Sequence, residues 1–253
     1  MPAAGYGDFV RKKMKPRILS ILFVFFGSPS GFAYHPLITD DTSTQGKGGF
    51  QYELNVEYGH DEEETIETAL GMTLTYGVVD NLDIAAGIPY LFLPENNGIG
   101  DLSLDIKYRF YERQGLMIAL KGGLNFPTGD HEKGLGSGMV NGRIFLMVDK
   151  EFGLLTFFFN AGYIRNENRV DERKNLWHLS LAGDYKLMES LKIVLNTGIE
   201  TNPEKGSKVH PVFLLGGLVY SPYENFELSG GIKTGLNSAE TDLSVLAGIT
   251  LRF

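Results

Sequence analysis

From residue 49 to the end of the chain, apolar and polar side chains alternate one by one in short segments. Phe50, Tyr52, Leu54, Val56 and Tyr58 are interleaved with Gln51, Glu53, Asn55 and Glu57. Leu102, Leu104, Ile106, Tyr108 and Phe110 alternate with Asp101, Ser103, Asp105, Lys107 and Arg109. A period of two puts one kind of side chain on each face of a strand, whereas helical spacing would scatter the same residues around a cylinder. Twelve such segments are predicted, near 49–59, 66–77, 82–91, 100–110, 116–126, 139–149, 154–164, 176–187, 191–200, 210–220, 226–235 and 242–253. At about 3.3 Å per residue and roughly 45° tilt, ten residues rise about 23 Å, close to the apolar band of an outer-membrane barrel.

The connections sort by length. Short ones follow the even segments, such as Val78 to Asn81 and Lys150 to Gly153, and longer polar ones follow the odd segments, such as Pro127 to Gly138 and Arg165 to Asn175. A barrel with both ends in the periplasm needs that asymmetry. Aromatic residues gather at the segment ends. Tyr76, Tyr108, Phe110, Tyr185, Tyr220 and Phe253 fall at one edge, and Tyr58, Tyr90, Phe126, Tyr163 and Trp177 at the other. Two aromatic rings are what two membrane interfaces select. The pattern therefore predicts an all-β fold, a single closed antiparallel transmembrane β-barrel of about 12 strands. An even count leaves no free edge for lipid to face.

Residues 1–33 read as a cleavable export signal. Arg11, Lys12, Lys13, Lys15 and Arg17 precede the apolar run Ile18 to Phe26, which is too short to span a bilayer. Small residues at Gly31 and Ala33 suit cleavage after Ala33, and Met14 offers an alternative start. Residues 34–48 are polar and aperiodic, and read as a periplasmic lead-in to a barrel at 49–253. Residues of this kind could also pack in the lumen as a plug. The expected location is the outer membrane of a Gram-negative bacterium.

The chain has 253 residues, no cysteine and a net charge of −8. The absence of cysteine excludes disulfides, thiolate metal sites and a cysteine nucleophile. The acidic balance offers no footprint for nucleic acid. No cofactor motif is present: no glycine-rich loop stands between a strand and a helix.

The polar face should line the lumen. Candidates are Glu53, Glu57, Asp105, Lys107, Arg109, Lys121, Arg143, His178, Asp184, Lys186, Glu200 and Arg252. Their restriction to one face matters because an ionised group facing lipid costs several kcal/mol at mid-depth. Phe145, Met147, Phe158, Phe213, Leu215 and Leu246 also phase inward, and so do Gly71, Gly87, Gly123, Gly162, Gly198, Gly217, Gly231 and Gly248. A twelve-stranded barrel is about 24 Å across its backbone, leaving a bore of roughly 10 Å or less.

The chain resembles the outer-membrane barrels of the meta-pathway of phenol degradation family. The likeness lies in Tyr34-His35-Pro36-Leu37-Ile38-Thr39-Asp40-Asp41-Thr42, Gly87-Ile88-Pro89-Tyr90, Gly98-Ile99-Gly100-Asp101-Leu102, Lys121 to Gly129, and Asn160-Ala161-Gly162-Tyr163. The resemblance implies an outer-membrane transporter that passes small solutes, with hydrophobic or aromatic compounds suggested, and brings no catalytic or binding residues with it. The last strand, with Ile249, Leu251 and the terminal Phe253, resembles the signal read by barrel-assembly machinery, which an edge strand could join by β-augmentation. Lipid and lipopolysaccharide are the other expected partners.

Three functions follow as expectations: a diffusion channel, a surface or structural barrel with a blocked lumen, and a lipid hydrolase. The hydrolase reading rests on His178-Leu179-Ser180, since some outer-membrane lipid hydrolases carry His-x-Ser on one strand. Against it, both side chains phase toward the lumen, and the position twelve residues beyond the serine is Lys192. The expectation is therefore of no enzyme. The acidic run Asp61 to Glu64 reads as a solvated loop, and Asp130, His131 and Glu132 as too close in sequence to converge on one metal ion.

Overall fold

The computed structural model describes residues 34–60 and 66–253. The export signal expected at 1–33 and the acidic run at 61–64 lie outside the described residues.

The strands are β1 (Phe50–His60), β2 (Ile66–Val79), β3 (Leu82–Phe92), β4 (Asn97–Ile99), β5 (Leu102–Arg113), β6 (Leu116–Phe126), β7 (Asn141–Phe152), β8 (Leu155–Arg165), β9 (Asn175–Met188), β10 (Leu191–Glu200), β11 (Val212–Tyr223), β12 (Phe226–Gly235) and β13 (Leu243–Arg252). Twelve are long, and β4 is a three-residue piece that pairs only with β3. Each long strand lies antiparallel to its neighbours, and β1 pairs with β13, so the sheet closes into a barrel. Phe50 and Phe253 exchange backbone hydrogen bonds of 3.0 and 2.9 Å at the seam.

The outward face is apolar on every strand. Ile84, Leu104, Ile106, Ile144, Leu195 and Ile232 are all exposed. On a particle in water such a surface would be a large continuous apolar patch. Around a closed barrel it is the face that lipid covers, so the molecule is an outer-membrane barrel. No helix among the described residues is long and apolar enough to cross a membrane. Aromatic pairs mark both rims: Phe50 and Tyr76 (centroids 4.7 Å apart) at the periplasmic end, and Tyr90 with Phe92 and Tyr163 with Trp177 (each 4.9 Å) at the outer end.

The strands run further toward the periplasm than the sequence pattern predicts. Three-to-five-residue turns become two-residue ones: Asp80-Asn81, Gln114-Gly115, Gly153-Leu154, Glu189-Ser190 and Glu224-Asn225. Bulges explain much of the difference. Register shifts after Gly77, Arg109 and Tyr220 break the period of two while the strands stay paired. Gln114 and Gly115 both adopt positive φ (52° and 70°), the conformation that a tight hairpin with right-handed strand twist requires.

A second departure lies between β4 and β5. Gly100 and Asp101 form a break opposite Pro89, which has no N–H to offer the ladder. The outer loop supplies the missing partner. Thr128 Oγ1 accepts from the Leu102 N–H and donates to the Gly100 carbonyl, both at 2.8 Å.

Candidate functional site

The interior holds the N-terminal segment. The segment expected to lead in from the periplasm lies inside the barrel instead. Its polar groups exchange water for partners on the lumen wall, while Leu37 and Ile38 leave water for an apolar seat. Its root is at the periplasmic end, where the Gly48 N–H donates to the Gly77 carbonyl (2.8 Å) and the Gly77 N–H to the Gly49 carbonyl (2.9 Å). Gly46 and Gly48 turn the chain there with φ of 74° and 82°, and a Cβ on Gly77 would overlap the Gly46 carbonyl.

From this root, residues 34–45 cross the lumen and touch nearly every wall. The Gln45 N–H donates to Asp83 on β3 (3.0 Å). Thr42 gives its N–H and its hydroxyl to Asp149 on β7, both at 2.7 Å. Asp40 and Asn160 on β8 hold each other through two hydrogen bonds, one from the Asp40 N–H (2.6 Å) and one from Asn160 Nδ2 (2.9 Å). Asn196 on β10 accepts from the Ile38 and Thr39 N–H groups and donates to Thr39 Oγ1. Lys192 donates to the Tyr34 hydroxyl at 2.7 Å.

The carboxylate of Asp40, 1% exposed, is the electrostatic centre. Lys107 Nζ on β5 stands 3.1 Å from Oδ1, and Lys121 Nζ on β6 stands 2.9 Å from Oδ2. Lys107 also reaches Asp41 at 3.2 Å. Beside this polar seat is an apolar one. Leu37 and Ile38 pack with Phe158, Val194, Phe213, Leu215, Val219 and Leu246, and Tyr34 tilts against Phe158 at 5.7 Å.

Other wall charges pair along the wall. Arg143 holds Asp105 through Nη2 (2.6 Å) and Nε (3.0 Å) and Asn125 through Nη1 (2.6 Å). Lys233 lies 3.0 Å from Glu57 and 3.2 Å from Glu240. Glu53 is buried on the same inner face. Asp184 meets Lys192 at 3.2 Å. Arg109, Lys186 and Arg252, also on the inner face by register, sit near the periplasmic rim with partly exposed side chains. Ile249, Leu251 and Phe253 are on the lipid face of the closing strand, with Phe253 at the rim.

The inward glycines act as seats. A Cβ on Gly162 would overlap the Phe145 ring, one on Gly198 the Phe213 ring, and those on Gly217 and Gly231 would crowd Pro36. Sequence phasing finds these glycines but not what each one receives.

In the outer half, His178 Nε2 lies 2.8 Å from Ser180 Oγ. The third polar group is Glu200, directly across the ladder on β10, and not the residue at position 192. Glu200 Oε1 stands 3.2 Å from His178 Nδ1, but without hydrogen-bond geometry. Phe145 stacks edge-on against the imidazole at 5.5 Å, and His178 and Ser180 are both buried.

The outer loops close over this end. Leu135 packs against Ala69, Leu91 and Leu93, and Asp101 anchors the same loop by accepting from the Gly129 and Ser137 N–H groups (3.0 and 2.9 Å) and the Ser137 hydroxyl (2.9 Å). Burial raises the pKa of this carboxyl, and those donors pull it back. Arg173 ties the next two loops through the carbonyls of Asn202, Lys205 and Ser207. Asp130 caps the short 3-10 turn His131–Lys133, and no cluster among the described residues could hold a metal ion.

The family described as "Putative MetA-pathway of phenol degradation" matches residues 35–253. The chain belongs to that family. Its match begins within the lumen segment, so the plug is part of the family region. No curated protein matches the chain. Among solved structures, the family member is similar to the COG4313 outer membrane channel from Pseudomonas putida F1, with 11% identity, 84% of this chain and 98% of that chain covered, and a TM-score of 0.64. It is also similar to the NanC porin (8% identity, 80% and 98% covered, TM-score 0.58) and the KdgM porin (9%, 81% and 99%, 0.56). At these identities the likeness is one of fold: a twelve-stranded outer-membrane barrel.

Proposed function

We propose that the protein is an outer-membrane channel for small solutes, held shut by its own N-terminal segment. The observation that carries this reading is how residues 34–45 are held. Their contacts are largely hydrogen bonds and ion pairs to wall side chains, which water or a solute could replace. A purely structural filling would more economically be apolar, since buried ion pairs add little net stability compared with packed hydrophobic groups. The solutes are small and partly hydrophobic, because Phe158, Phe213 and Leu215 line one side of the path. Recordings in planar bilayers test the reading. If neither the full chain nor a chain without the plug conducts ions or passes solutes, the channel is excluded and a permanently blocked barrel remains.

The hydrolase reading has one observation in its favour, the alignment of Ser180, His178 and Glu200. The unaligned Nδ1 contact and the covering Phe145 ring weigh against it, since a triad needs its imidazole oriented and its serine accessible. Ser180→Ala is expected to leave the turnover of membrane phospholipid unchanged in reconstituted vesicles. Loss of measurable lipase activity in that variant would restore the enzyme.

The closing strand serves assembly as well as the barrel wall. Phe253 is exposed at the periplasmic rim, where an insertion machine could read it. Phe253→Ala should lower the amount of folded barrel in cells several-fold but leave refolding into detergent intact. Equal losses in both would make it a plain structural contact.

A further inference from the structure

We infer that the plug occupies the channel's own solute seat, and that the seat takes a small carboxylate with an apolar body, such as an aromatic monocarboxylate. This deepens the channel reading and rests on it. Three observations converge. The Asp40 carboxylate is gripped by two lysines on adjacent strands, one on each oxygen, at 3.1 and 2.9 Å. Asn160 and Asn196 offer donors and acceptors nearby that serve the plug backbone. Leu37 and Ile38, three and two residues before that carboxylate, fill a pocket of Phe158, Val194, Phe213 and Leu215. The plug therefore presents an anionic head and an apolar body to a wall complementary to both. A carboxylate between two ammonium groups in a buried site gains charge-assisted hydrogen bonds that an alcohol gains only weakly and an amine not at all.

The surrounding charges fit this assignment. Arg143 is engaged by Asp105 along the wall, and Lys233 by Glu57 and Glu240. Glu53, Asp83 and Asp149 also line the inner face. Asp83 and Asp149 accept N–H groups of the plug itself, at Gln45 and Thr42. The ion pairs of Lys107 and Lys121 reach across to Asp40, and that of Lys107 also to Asp41. A solute that took over this pairing would compete with the plug and release it. Passage would then be coupled to recognition, with the right solute opening its own path.

The test uses the full chain and its lack of cysteine. Ile38→Cys puts a single thiol on the buried side of the plug, and Thr39→Cys provides a second position should the first disturb folding. The rate of labelling by a charged maleimide then reports plug displacement, whether or not ions flow. Benzoate should raise that rate by about tenfold over acetate, benzyl alcohol and benzylamine at equal concentration, the scale of one well-placed charged contact. In the Lys107→Gln, Lys121→Gln background, basal labelling should rise and the benzoate dependence vanish. Equal responses to benzoate and benzylamine, or to benzoate and acetate, would overturn the assignment. So would a benzoate effect that persists without the lysines. Failure here with ion conduction intact would leave the channel standing and remove only its solute class.

Discussion

A chain that begins at Gly46, refolded into detergent and placed in a planar bilayer, is expected to conduct steadily where the full chain is mostly closed. Residues 34–45 fill the cross-section from Asp83 on one wall to Asn196 on the other. Without them the passage should approach the roughly 10 Å bore of a twelve-stranded barrel. The barrel itself should survive, because its ladders close without the segment: β1 pairs with β13 over ten residues, from Gln51 to His60. Heat-modifiable migration on a denaturing gel would check that the truncated barrel is folded. A folded barrel with unchanged conductance would show that the outer loops around Leu135 and Arg173, and not the plug, form the barrier.

The second large effect belongs to a single residue. Asp40→Asn keeps the shape of the side chain but removes the charge that holds Lys107 and Lys121. Removing one partner from a buried ionic cluster typically costs about 3–5 kcal/mol. That cost falls on the plugged state, since in the displaced state the lysines meet water. The ratio of open to closed channel should therefore rise by roughly 10²–10⁴-fold. Single-channel open probability reads this directly. The barrel's own unfolding midpoint should move much less. Asp41→Asn serves as the control: Asp41 meets Lys107 at 3.2 Å and the Ser43 N–H at 3.0 Å, with more exposure, and should shift the ratio far less. If the two variants behave alike, Asp40 is not the centre of the latch.

The sequence announces the barrel because one physical demand repeats along it. Each crossing must offer lipid an apolar face, so Leu102 to Phe110 and Leu243 to Phe253 alternate visibly. The charged residues on the opposite face are legible for the same reason. Glu200 was missed as the partner of His178 because the two meet only through register, 22 positions apart in sequence. The true turn lengths were hidden because bulges such as that between Arg109 and Tyr111 shift the phase while pairing continues. For residues 34–48 the sequence offers both a periplasmic lead-in and a plug, and does not show which wall groups would hold a plug. A polar aperiodic stretch reads as solvated, and only the three-dimensional wall shows that Asn160, Asn196 and Asp149 satisfy its backbone.

The glycine seats for this segment come late in the chain. Pro36 rests against Gly217 and Gly231, and His35 lies where a side chain on Gly248 would go. The wall that receives the first described residues is therefore contributed by strands far from them in sequence. Part of the seat for Pro36 and His35 is built by β11 to β13, and it is complete only when β13 has joined β1.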